Sequence, residues 1–128
     1  MGSDRTSKQR FCGIPYSMVI SSAWRSLKCS SIKIYVELLN RYNGQNNGDL
    51  HLSYASASNL LYVGKSTVSR AFAELQEKGF IVQTKEGSWD DRRAATWRMT
   101  HLKDDRPNGG LSTNDWLRWS NANPGLNV

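Results

Sequence analysis

The sequence predicts an α+β domain, mainly α, with three to four helices and a small sheet of two to three strands. Three observations predict it. Val68, Ala71, Phe72 and Leu75 fall at i, i+3, i+4 and i+7, one face of a helix. Ile32, Tyr35, Val36 and Leu39 repeat that spacing earlier in the chain, and Leu38 and Tyr42 widen the stripe. Beyond the later helix the period changes to two: Ala95, Trp97 and Met99 alternate with Thr96, Arg98 and Thr100, as on the two faces of a strand.

Residues 1–10 are polar and aperiodic, and are expected to be a flexible basic arm. Residues 11–100 form the main domain and residues 101–128 a tail. Ile14-Pro15 makes the entry extended. Met18 to Leu27 reads as a short helix with Trp24 and Leu27 facing the core. Ser30 or Ser31 caps the next helix, which runs to about Tyr42 and ends at Asn43-Gly44. Residues 43–49 are dense in turn formers, and two readings stay open: a tight connector, or a loop that holds a ligand or phosphate on its backbone N–H groups. Leu50 to Ser53 suits a short strand. Ser53 to Leu61 is a helix whose Ala57, Ser58 and Leu61 pack on the helix after it, and the small side chains at 57 and 58 permit a close crossing. Gly79 stops that second helix. Phe80 to Lys85 and Ala94 to Thr100 are two strands around a tip at 86–93. Trp97 belongs to the core.

The stretch Lys65-Ser66-Thr67-Val68-Ser69-Arg70-Ala71-Phe72, with Glu74-Leu75 and then Gly79-Phe80-Ile81, resembles the winged helix-turn-helix family, and the GntR- and MarR-type bacterial regulators within it. The likeness covers roughly half the chain. It implies a winged helix-turn-helix in which 80–85 and 94–100 are the wing and Leu50–Ser53 pairs with it. Two positions depart from the family pattern: Tyr62 stands where the turn usually has Gly, and Gly64 where the cap is often Ser. A bulky residue at φ > 0 costs energy, so a longer or differently shaped turn is expected. Ala23-Trp24-Arg25-Ser26-Leu27, Arg41-Tyr42-Asn43-Gly44 and Ala95-Thr96-Trp97-Arg98-Met99-Thr100 are also similar to small helix-turn-helix proteins of proteobacterial genomes and mobile elements.

Charge agrees with a polyanion partner. The net charge is +6 and the pI about 9.6. Residues 11–100 hold eleven Lys/Arg against seven Asp/Glu, the arm holds Arg5, Lys8 and Arg10 against Asp4, and the tail balances. No apolar run approaches the ~20 residues that span a bilayer, and the N-terminus carries no apolar signal core. No membrane partner and a cytoplasmic, nucleoid-associated location are therefore expected. Cys12 and Cys29 have no metal-ligand spacing and read as free thiols.

The sequence offers no catalytic constellation. Gly64-Lys65-Ser66 mimics the end of a phosphate-binding loop, but position 59 is Asn where that loop needs Gly. His51 and His101 have no nucleophile with local support, and Asp90-Asp91 and Asp104-Asp105 are adjacent pairs that decorate loops. No enzyme activity, cofactor or metal is expected.

The resemblance implies sequence-specific binding of double-stranded DNA by a transcriptional regulator of a bacterial mobile element or phage. Lys65, Ser66, Thr67, Ser69 and Arg70 would meet bases or phosphates, with Arg70 reading guanine, and Lys85, Arg92 and Arg93 would meet the backbone from the wing. Two rivals stand beside it: a plasmid or phage replication-initiator-type binder, and a winged helix used as a protein-interaction module. In the second, Trp89, or the Trp116/Trp119 pair of the tail, would anchor a partner, while Glu74, Glu77, Asp90 and Asp91 interrupt the basic face. The tail's tryptophans could equally dock on their own domain. A homodimer remains open, through the tail or the helix at 30–42.

Overall fold

The computed structural model describes residues 9–87 and 95–120. Most of the expected arm (1–8), the tip residues Trp89, Arg92 and Arg93, and residues 121–128 lie outside the described residues. The helices are α1 Tyr16–Val19, α2 Ser22–Arg25, α3 Cys29–Arg41, α4 Tyr54–Leu61 and α5 Lys65–Glu77. The strands are β1 Leu50–His51, β2 Ile81–Lys85 and β3 Thr96–Met99, and a 3₁₀ helix covers Asp115–Arg118. The fold is α+β, with one antiparallel sheet in the order β1-β3-β2.

The single helix expected over Met18–Leu27 is two. Ser21 is extended at φ −69 and ψ 153. Its hydroxyl donates to the Met18 carbonyl at 2.6 Å and accepts the Trp24 N–H at 3.1 Å. A hydroxyl that binds nearby backbone competes with the helical ladder, so Ser21 ends one helix and caps the next. Trp24 and Leu27 do face the core.

Helix α3 corrects both its expected cap and its expected stripe. It starts at Cys29 with Lys28 as N-cap and no side-chain cap of its own. Glu74 of α5 supplies the acceptor instead, taking the Lys28 N–H at 3.1 Å and the Ser31 hydroxyl at 2.5 Å. That bond turns Ser31 inward and rotates the buried stripe to Ser31, Ile34, Tyr35, Leu38 and Leu39, leaving Val36 37% exposed.

The core is aromatic. Trp24, Tyr35 and Phe80 meet edge to face, with centroids 5.6–5.8 Å apart. Tyr54, Phe72 and Trp97 stack in sequence at 5.1 and 4.9 Å. Val68, Ala71, Phe72 and Leu75 are all buried, so the spacing read from sequence is the inward face of α5. On β3 both faces are covered: Thr96 and Thr100 are buried together with Trp97 and Met99. Residues 101–120 explain part of this. Thr113 and Asn114 donate their N–H groups to the Thr100 carbonyl at 3.0 and 2.9 Å. Trp116 lies parallel to Phe80, with centroids 6.4 Å apart. Lys78 Nζ sits 4.6 Å from the centre of the Trp119 ring.

Trp116 and Trp119 are 4% and 8% exposed. This corrects the reading in which they are exposed anchors for a partner: both side chains pack within their own domain. Residues 43–49 form a connector pinned by Asn47, whose side chain is fully buried and bonded to the backbone of residues 99–103.

His101 closes the core beside α3. Its Nδ1 lies 2.5 Å from the Tyr35 hydroxyl. Burial pushes its pKa down to about 4 from the ordinary 6.5, with the Gly13 backbone pulling weakly the other way. The unfolded chain therefore takes up a proton near pH 6.5 and the folded chain does not. The His101 contribution should be constant above that pH and fall by about 3 kcal/mol as pH drops from 6.5 towards 4. Urea titrations at stepped pH check this, and His101→Asn should flatten the slope in that window only.

Candidate nucleic-acid interface

Helix α4 begins at Ser53, whose hydroxyl accepts the Ser56 N–H at 3.0 Å. It ends where the N–H groups of Tyr62 and Val63 both reach the Ser58 carbonyl. Tyr62 takes the left-handed conformation itself, at φ 58 and ψ 46. Of the longer or differently shaped turn expected, the longer one is corrected: residues 62–64 join α4 to α5 tightly, and Tyr62, 92% exposed, carries the strain. Lys33 of α3 donates to the Leu61 carbonyl at 2.9 Å and holds this corner from below. Ala57 is buried and Ser58 and Leu61 half-buried, so small residues line the crossing.

Tyr62→Gly should raise stability by about 1 kcal/mol, because glycine adopts φ > 0 without the Cβ penalty. A denaturant midpoint equal to or below that of the parent would show that Tyr62 makes a compensating contact.

Helix α5 starts at Gly64 with no side-chain cap and no acid in its first turn. Its free N–H groups and the positive end of its dipole face outward beside Lys65 and Ser66. Lys65, Ser66, Ser69 and Arg70 are exposed, and Thr67 is half-buried on the flank nearer α3. None of these five side chains makes a hydrogen bond or ion pair with another described residue. Lys85 is exposed at the end of β2. A bulge between Gln83 and Lys85 turns Thr84 inward, where its hydroxyl meets Thr96 at 2.6 Å and donates to the Gly48 carbonyl at 2.7 Å. Arg92 and Arg93, expected to meet the backbone from the wing, lie outside the described residues.

The acids of α5 are not equivalent. Glu74, expected to interrupt the basic face, turns away from it. Lys78 Nζ donates to its second oxygen at 2.8 Å and also to the Ser26 hydroxyl at 2.9 Å. Burial pushes the Glu74 carboxyl up, but the hydrogen bonds from Lys78, Ser31 and the Lys28 N–H together hold it below the usual range. Glu77 stays exposed. The outward N-terminal half of α5 therefore carries Lys65 and Arg70 with no carboxylate paired to either among the described residues.

Three further residues join the site, only Ser30 having been assigned a part, that of a helix cap. Lys28 and Ser30 line a groove of about 580 Å³ with Thr67 and Arg70. Lys33 positions the α4–α5 corner. None has a motif signal for these contacts, because each acts across a helix pair far apart in sequence. Compared with protein-family models, curated proteins and solved structures, the chain gives no match. Among the described residues no helix is long and apolar enough to cross a membrane.

Proposed function

We propose that this chain binds double-stranded DNA as a winged helix-turn-helix module, with α5 in the major groove and β2 and β3 as the wing, and that it regulates transcription from a bacterial mobile element or phage. The observation that carries the binding is the outward face of α5. It presents small, hydroxylic and basic side chains with no large apolar group, and its arginine, unpaired among the described residues, sits on the first half of the helix. A helix of about 10–12 Å diameter fits a groove about 12 Å wide. The order of a helix, a tight turn, a second helix and an antiparallel strand pair supports the same reading, as do the basic charge and the uncapped N-terminus of α5. The regulatory role rests on the motif resemblance.

Arg70 is the base reader in this arrangement, because its fork matches the O6 and N7 acceptors of guanine. Fluorescence anisotropy on mixed-sequence duplexes over a salt series should show micromolar binding that weakens steeply with salt. On a selected site, Arg70→Ala should lose about 1–3 kcal/mol and relax the preference at one base pair. If the preference survives at every position, Arg70 is not the reader. A selected site found at an origin, not a promoter, would move the role to replication initiation. No binding at low salt, together with a co-purifying protein, would move it to protein interaction.

A further inference from the structure

We infer that the DNA footprint extends past α5 onto the start of α3, with Lys28 and Ser30 gripping the sugar–phosphate backbone beside the groove that α5 enters. The inference rests on the DNA-binding reading above and adds a contact that the motif does not include.

Three observations carry it. Lys28, Ser30, Thr67 and Arg70 line one continuous groove of about 580 Å³ between α3 and α5. Thr67 and Arg70 are i, i+3 on α5, so this groove adjoins the face that carries Ser66 and Ser69. A backbone strand bordering the major groove would lie alongside it.

The charges in the groove are arranged for an anion. Lys28 is exposed, and its side chain has no acidic partner among the described residues. Its backbone N–H is held by Glu74, so the residue is fixed in place while its ammonium stays available. Glu74 is neutralised by Lys78 at 2.8 Å, and its other oxygen is taken by the Lys28 N–H and the Ser31 hydroxyl of the α3 start. Glu77 is the remaining acid of the lining, one α5 position short of Lys78 and two turns beyond Arg70. Phosphate would therefore sit towards the Lys28–Arg70 end. A basic pair, a hydroxyl donor and an extended slot suit a polyanionic strand better than a compact ligand.

Two variants test this. Lys28→Ala removes one phosphate contact, so the slope of log affinity against log salt should fall by about 0.9, with the same decrement on selected and mixed-sequence duplexes. Affinity should fall about five- to tenfold at 0.1 M salt. Ser30→Glu places an acid in the first turn of α3, where the helix dipole favours it. It should melt no lower than the parent and still bind DNA at least fivefold more weakly. If the parent binds DNA and both variants keep its slope and affinity, the footprint stops at α5 and the function stands. If the parent itself does not bind, the footprint and the function fall together. A loss confined to the selected duplex would also overturn the inference, since a phosphate contact carries no sequence information.

Discussion

Gly79→Ala should lower stability by about 2–4 kcal/mol and release the C-terminal segment from the core. Two effects add. Gly79 holds φ +86, a conformation that penalises any Cβ. The Cβ would also stand 2.6 Å from the Asp115 carbonyl carbon and 2.8 Å from the Trp116 nitrogen, both backbone atoms that cannot rotate aside. Gly79 ends α5 in a tight reversal: the Phe80 N–H reaches the Leu75 carbonyl at 2.9 Å and the Gly79 N–H reaches Gln76 at 3.1 Å. The 3₁₀ helix Asp115–Arg118 packs directly on that reversal. Moving it outward separates Trp116 from Phe80 and exposes Trp116 and Trp119. Tryptophan emission should therefore shift to the red in the folded variant, alongside the lower denaturant midpoint. Unchanged emission with a loss under 1 kcal/mol would mean that the segment tolerates the shift.

Asn47→Ala should cost about 2–4 kcal/mol, far more than its place in a polar loop suggests. The Asn47 amide behaves as an extra peptide unit beside β3. Its Nδ2 donates to the carbonyls of Met99 at 2.9 Å and Lys103 at 2.8 Å, and its Oδ1 accepts the Met99 N–H at 2.7 Å. Its own backbone exchanges bonds with Asp105 at 2.9 and 2.8 Å. Alanine would leave the buried Met99 N–H unpaired and its carbonyl with only the long 3.5 Å bond from the Leu102 N–H, and an unpaired buried group loses its full hydration. Asn46→Ala is the comparison. Asn46 bonds the backbone at Arg41 and Asn43 from a half-exposed position, so its loss should be about 1 kcal/mol or less. Equal effects at 46 and 47 would overturn this account of the loop.

The sequence alone determined what depends on local period and local backbone chemistry. The inward face of α5 follows from Val68, Ala71, Phe72 and Leu75, because a helix repeats every 3.6 residues whatever it packs against. Gly79 as a stop was legible for the same reason: it acts on backbone groups within a few residues. The candidate residues Lys65 to Arg70 were legible as a pattern, being what remains when the apolar face is removed.

Tertiary structure decided everything settled by a partner far along the chain. Ser31 faces inward because Glu74 lies 43 positions away in sequence but within a hydrogen bond in space. Asn47 is buried because β3 presents unpaired peptide groups to it, and no spacing of Asn residues encodes that. For Trp116 and Trp119 the sequence left two readings, anchors exposed on a polar tail or docking on their own domain; a glycine at 79 leaves the room that lets the tail pack there. Lys28 is a third case: its groove exists only where α3 crosses α5. Periodicity reports which face of an element is apolar, while the crossing of two elements determines which polar side chains meet.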